Sequence, residues 1–169
     1  METMQREELG GLLASFDTAP SPSPSTTSAS PSPSPTASPT ASPTSGTDPD
    51  PSTPTLTSGT AYNGTSAAAS GFSYTKIAVP AGTSQLRVVL TGPACTGGVL
   101  GVNCKPDLDL YVKAGAKPTT SASDGSSAAG GTSAETVTIT SPTATWYYVG
   151  VYTYAGSAGT AYSVTATVT

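Results

Sequence analysis

The chain contains no histidine, and its 169 residues include two cysteines, two methionines, one tryptophan and only 9% charged residues. Each shortage narrows what the protein can do. Without imidazole there is no Ser-His or Cys-His nucleophile pair and no zinc site of the histidine kind. No side chain remains whose ordinary titration falls near neutral pH. Serine and threonine are plentiful, but a hydroxyl without an activating base is a weak nucleophile. Asp107 and Asp109 are the one close acid pair in the C-terminal part, so general acid-base work would have to rest on them. Catalysis by this chain is not expected.

Charge is scarce and also unevenly divided. Residues 1–50 carry Arg6 against Glu2, Glu7, Glu8, Asp17, Asp48 and Asp50, a balance of −5. Residues 51–169 carry five basic against four acidic residues, a balance of +1. Neither part holds the cluster of Lys and Arg that marks a nucleic-acid binder, so no nucleic-acid partner is expected. No apolar run is long enough to span a bilayer. The opening residues also lack the basic start, apolar core and small-residue cleavage site of a secretory signal, so if the protein is exported its signal is expected upstream of Met1, or Met1 is not the natural start.

What the chain has in quantity is proline and glycine, 16 and 18 residues respectively. Eleven of the prolines fall in residues 18–54, a stretch that is otherwise almost wholly Ser, Thr and Ala. Such a composition buries too little apolar surface to offset chain entropy, and its prolines favour extended polyproline II. It reads as a semi-rigid tether, able at about 3.1 Å per residue to hold two domains roughly 115 Å apart. Ser/Thr/Pro tracts are also frequent O-glycosylation sites, a point the residues leave open. Before the tether, Leu9, Leu12, Leu13 and Phe16 stand at helical spacing and predict a short helix over 1–17, weakened by Gly10 and Gly11. This segment reads as the tail of an upstream domain.

Residues 55–169 have the length of one domain and a different texture. Short apolar alternations recur between Gly, Pro, Ser and Asn, and no long helical period intervenes. This predicts antiparallel strands near 56–62, 71–79, 84–91, 107–113, 134–140, 145–154 and 160–168 in an all-β sandwich. In DLDLYV, Leu108, Leu110 and Val112 alternate with Asp107, Asp109 and Tyr111, the period of a half-buried strand. The same parity assigns Leu86, Val88 and Leu90 to the core, with Val137 and Ile139, then Tyr147, Val149 and Val151, then Tyr162, Val164, Ala166 and Val168. Phe72 and Tyr74 fall on the opposite parity from Ile77 and Val79, which a β-bulge near Thr75 would reconcile. Asn63-Gly64-Thr65 fits the N-glycosylation sequon and fits a β-turn at least as well.

Together these stretches resemble the bacterial pre-peptidase C-terminal domain, an accessory β-sandwich of secreted peptidases. The resemblance rests on KIAVPAGTSQLRVVLTG at 76–92, DLDLYV at 107–112, KPTT at 117–120 and Glu135 with Val137. TWYYVGVYTYAG and AYSVTATV look like the closing hairpin. One departure stands out: where many relatives carry a Tyr-Asp-Cys loop, this chain has Ser123, Asp124 and Gly125.

The resemblance implies a jelly-roll-like sandwich preceded by tether and helix. It also implies a non-catalytic C-terminal role beside an upstream catalytic domain, an extracellular location and a monomeric module. The task would be to hold an insoluble protein or polysaccharide substrate, or to aid export or stability; a structural or display module without a ligand is the competing reading. Trp146, Tyr148 and Tyr152 lie opposite the core side of their strand, and Tyr111 projects from the DLDLYV strand. With same-face residues about 6.6 Å apart, these rings form a candidate aromatic platform, although aromatic residues favour strands in any case. Similarity to the collagen-binding modules of clostridial collagenases implies a calcium site at Asp107, Asp109 and Asp124; solvated or lysine-paired carboxylates are the alternative. In an exported domain, Cys95 and Cys104 read as a disulfide closing an eight-residue loop, worth about 2.7 kcal/mol.

Overall fold

The computed structural model of the chain describes residues 48–97 and 105–169. The expected helix at 1–17, most of the tether and Cys104 lie outside the described residues. Among those described there is no helix, and hence none long and apolar enough to cross a membrane.

Eight strands form two antiparallel sheets: β1 (Ala61–Thr65), β2 (Phe72–Val79), β3 (Gln85–Thr91), β4 (Asp107–Ala114), β5 (Gly125–Ser127), β6 (Ala134–Thr140), β7 (Thr145–Ala155) and β8 (Ala161–Val168). The orders are β1-β8-β3-β6 and β2-β7-β4-β5. β1 pairs with β8, β2 with β7, β3 with β6 and β4 with β5. The domain is thus one long antiparallel ribbon folded over on itself, with β3·β8 and β4·β7 as the seams. This is the jelly-roll arrangement expected of the sequence.

The core lies between the sheets. Leu86, Val88 and Leu90 of β3 meet Leu108, Leu110 and Val112 of β4, with Val137, Tyr147, Val149, Val151, Tyr162, Val164 and Ala166 closing around them. Ile139 and Val168 pack at the margin. Every residue assigned inward by alternation is in or against this core, because a strand buried on one face writes its burial into every second position.

Three expectations need correction. The first strand begins at Ala61 rather than at 56. Leu56 belongs instead to a strap that runs parallel to β2, with its N–H on the Lys76 carbonyl at 2.7 Å and the Lys76 N–H on the Pro54 carbonyl at 2.9 Å. The strap covers the open edge of β2, a position that tolerates proline. Second, no bulge interrupts β2 at Thr75, since its register to β7 runs unbroken from Phe72↔Tyr152 to Val79↔Thr145. Phe72 and Tyr74 therefore belong to the outer face. Third, Asn63 lies within β1 opposite Ser163, so the Asn63-Gly64-Thr65 segment is strand, not turn.

Candidate functional site

The two outer faces differ. On the β1-β8-β3-β6 sheet the outward positions of β3 and β6 are Gln85, Arg87, Val89, Thr91, Thr136, Thr138 and Thr140. On the other sheet they are largely aromatic. Gly150 of β7 stands opposite Tyr74 on one side and Tyr111 on the other, and its lack of a side chain lets rings close over it. A Cβ there would lie 2.9 Å from the Phe72 ring and 3.0 Å from Pro118. Phe72 stacks on Tyr74 at 5.3 Å and meets Tyr111 and Tyr152 at 5.7 and 4.8 Å. Tyr111 and Tyr152 meet edge to face at 6.2 Å.

Beside this cluster lies a cleft of about 530 Å³ lined by Asp107, Asp109, Tyr111, Tyr152, Tyr154, Thr120, Ala128 and Gly130. A break in register shapes it. Asp107 pairs with Ala155 and Leu108 with Thr153, which leaves Tyr154 without an opposite residue. Such an extra residue re-aims a side chain, and Tyr154 stands 66% exposed at the rim.

Three carboxylates lie beneath the cleft, and two have structural duties. Glu135 of β6 accepts hydrogen bonds from the Ser127 hydroxyl and, at 3.0 Å, from the Ala129 N–H. Asp107 accepts one from the Gly131 N–H at 3.3 Å, while its other oxygen is buried without a partner. Both hold the β5–β6 loop that walls the cleft. Asp109, only 5% exposed, accepts no hydrogen bond from any described residue. Burial first, then the neighbouring Asp107 and Glu135 charges, push its carboxyl up to about 6.

The sequence-derived candidates separate into three places. Asp107, Asp109, Tyr111 and Tyr152 come together at the cleft. Trp146 and Tyr148 sit toward the other end of β7, where Lys76 lies between the Trp146 ring, 5.1 Å away, and the strap. Tyr148 and Tyr111 are buried, at 4% and 8% exposure, so they form no open platform by themselves. Asp124 is at the far end of β4, accepting from the Ala114 N–H at 2.7 Å and facing Lys113 at 4.0 Å. It does not join Asp107 and Asp109, and among the described residues no three His, Cys, Asp or Glu side chains are grouped to hold a metal ion. No described cysteine is a free thiol.

Sequence reasoning missed Phe72, Tyr74, Tyr154 and Glu135. The off-parity aromatics of β2 were the available signal for the first two. Glu135 sits on the same parity as Val137, which would have marked it as a buried acid.

No curated protein matches the chain. The family model for the bacterial pre-peptidase C-terminal domain matches residues 71–153, from the start of β2 to the end of the β7 core segment. Domains of this family are non-catalytic C-terminal domains of bacterial peptidases. The jelly roll described above, with its DLDLYV strand at the centre of the aromatic sheet, is thus similar to the pre-peptidase C-terminal domain over residues 71–153.

Proposed function

We propose that this domain serves an exported bacterial peptidase as a non-catalytic accessory module, holding macromolecular substrate on the outer face of the β2-β7-β4-β5 sheet. The observation that carries the reading is the contrast between faces: rings and a carboxylate-floored cleft gather on this side, hydroxyls on the other. Contiguous aromatic surface with polar groups at its edge is the usual character of a binding face. The Pro/Ser/Thr tether gives such a module reach from an upstream catalytic domain. An extracellular location, a monomeric module and a Cys95–Cys104 disulfide belong to the same reading.

Retention on insoluble collagen, chitin and cellulose tests it, with Tyr152→Ala and Tyr154→Ala as the variants. Retention of the wild type on one of these solids and several-fold loss in the variants is expected. Equal behaviour of all three proteins favours a structural or display module. One observation speaks for that second reading: Tyr111 and Tyr148 are already covered by the domain's own residues.

A further inference from the structure

The cleft beside Asp109 has a chemistry of its own, and this inference rests on the binding-face reading above. Its floor is acidic, and among the described residues no lysine or arginine lines it. The lysines toward the other end of the sheet have their own partners: Lys76 donates to Asp48, Lys117 lies 2.8 Å from Asp50, and Lys113 faces Asp124. Lys105, two residues before Asp107, is exposed and does not line the cleft. Asp109 is therefore a nearly buried carboxylate with neither a counter-ion nor a hydrogen-bond donor among the described residues. It opens onto a space whose walls are the rings of Tyr111, Tyr152 and Tyr154. A burial of this kind is costly unless something satisfies the group.

We propose that this cleft takes the side chain of a lysine or arginine protruding from a protein partner. A carboxylate at the bottom and tyrosine faces along the sides satisfy an ammonium or guanidinium twice, by charge-assisted hydrogen bonding and by cation–π attraction. The aliphatic stem of the basic side chain would lie along the rings, as such stems do on apolar surface. A neutral polysaccharide offers no group that neutralises Asp109. A calcium ion needs six or more oxygen ligands, and among the described residues no three acidic side chains, Asp107, Asp109 and Glu135 included, are grouped so as to hold one. The groups that face Asp109 are Asp107 on its own strand, Glu135 of β6, and Tyr111 and Tyr152. None is positive, so occupancy by a cation requires Asp109 to be ionised.

The test is an NMR titration of the intact chain with Nα-acetyl-lysine N-methylamide and its arginine counterpart, with the norleucine counterpart as the uncharged control. Resonances of Tyr111, Tyr152 and Tyr154 should move with the two basic compounds, which should bind about tenfold or more tightly than norleucine. Asp109→Asn should weaken them by about tenfold or more, and acidification from about pH 7.5 to about pH 5 should weaken them in the wild type alone. Tyr154→Ala, at an exposed rim where folding is not at stake, should weaken binding as well. Equal binding of norleucine, or undiminished binding by Asp109→Asn, overturns the proposal. So does movement of the same resonances by calcium chloride with the basic compounds inert. Retention of both wild type and Asp109→Asn on an insoluble solid, without basic-compound binding, sinks the cleft but leaves the sheet-face reading intact. Failure of the wild type on every solid counts against the sheet-face reading itself.

Discussion

Gly125 and Val137 meet across the two sheets: a Cβ on Gly125 would stand 2.6 Å from the Val137 Cγ1. Val137 is a core residue at 4% exposure, and Gly125 pairs with Val112 in the short β5. The glycine is what lets the edge strand sit so close to the facing sheet.

Gly125→Ala is therefore expected to destabilise the domain by about 1–3 kcal/mol, the usual cost of overpacking a filled interior. Val137→Ala alone should also destabilise, by leaving a cavity. The double variant should lose less than the sum of the two, because the smaller residue at 137 makes room for the new methyl. Urea unfolding of the four proteins checks this. Strict additivity would show that the two residues do not press on each other.

The same strand shows where sequence reading stops. β5 is Gly-Ser-Ser, with no apolar residue to alternate, so nothing in its pattern distinguishes a strand from a turn. The long strands are the opposite case: β4 and β7 place Leu108, Leu110, Val149 and Val151 inward at every second position, and that rhythm survives without any knowledge of the partner strands. The outer aromatic face was half legible. Tyr111 and Tyr152 were visible by parity, whereas Phe72 and Tyr74 were misread because two off-parity rings on a strand can mean either a bulge or a second sticky face. The cleft depends on topology. Asp109 acquires Tyr154, Thr120 and the 128–131 loop only when β4, β5 and β7 assemble, and the register break at Asp107/Leu108 has no local signature.

The strap was illegible for a different reason. Its composition, Asp-Pro-Asp-Pro-Ser-Thr-Pro, reads as tether, and it adheres through charges whose partners are far along the chain. Asp48 accepts from Lys76, a side chain with no exposed surface; the Asp50 carbonyl accepts from the same ammonium; the Asp50 carboxylate reaches Lys117 at 2.8 Å. Removing one side of such a pair is not the mirror image of removing the other. Asp48→Ala leaves a buried ammonium short of its counter-charge and should lower the Tm by several degrees. Lys76→Met keeps the bulk against Trp146 and leaves only a partly exposed carboxylate unpaired, so it should stay within about 1 kcal/mol of wild type. In the Lys76→Met background, Asp48→Ala should then have little further effect. Thermal unfolding of the three variants decides it; a loss from Lys76→Met as large as that from Asp48→Ala would contradict the asymmetry.

The acids of the strap and the acid of the cleft pull stability in opposite directions along the pH axis. Asp48 and Asp50 are held below the ordinary carboxylate value of 3.8, first by hydrogen bonds from Lys76 and Lys117 respectively. Their contribution is present above that value and is lost as pH falls through their lower folded values. Asp109 is raised to about 6, by burial first. The folded state therefore binds its proton more tightly than the unfolded chain does. Stability from this group is fully present below about pH 4, declines as pH rises from there, and is gone once pH passes about 6. The wild-type Tm should pass through a maximum in weak acid, between about pH 4 and about pH 5. Asp109→Asn, which cannot ionise, should match wild type near the maximum and exceed it by a few degrees at about pH 7.5. Melting curves followed by circular dichroism across this range make the comparison. Parallel curves for the two proteins at every pH would show that the Asp109 carboxylate is already satisfied in the folded chain, and the case for a cation in its cleft would lose its electrostatic basis.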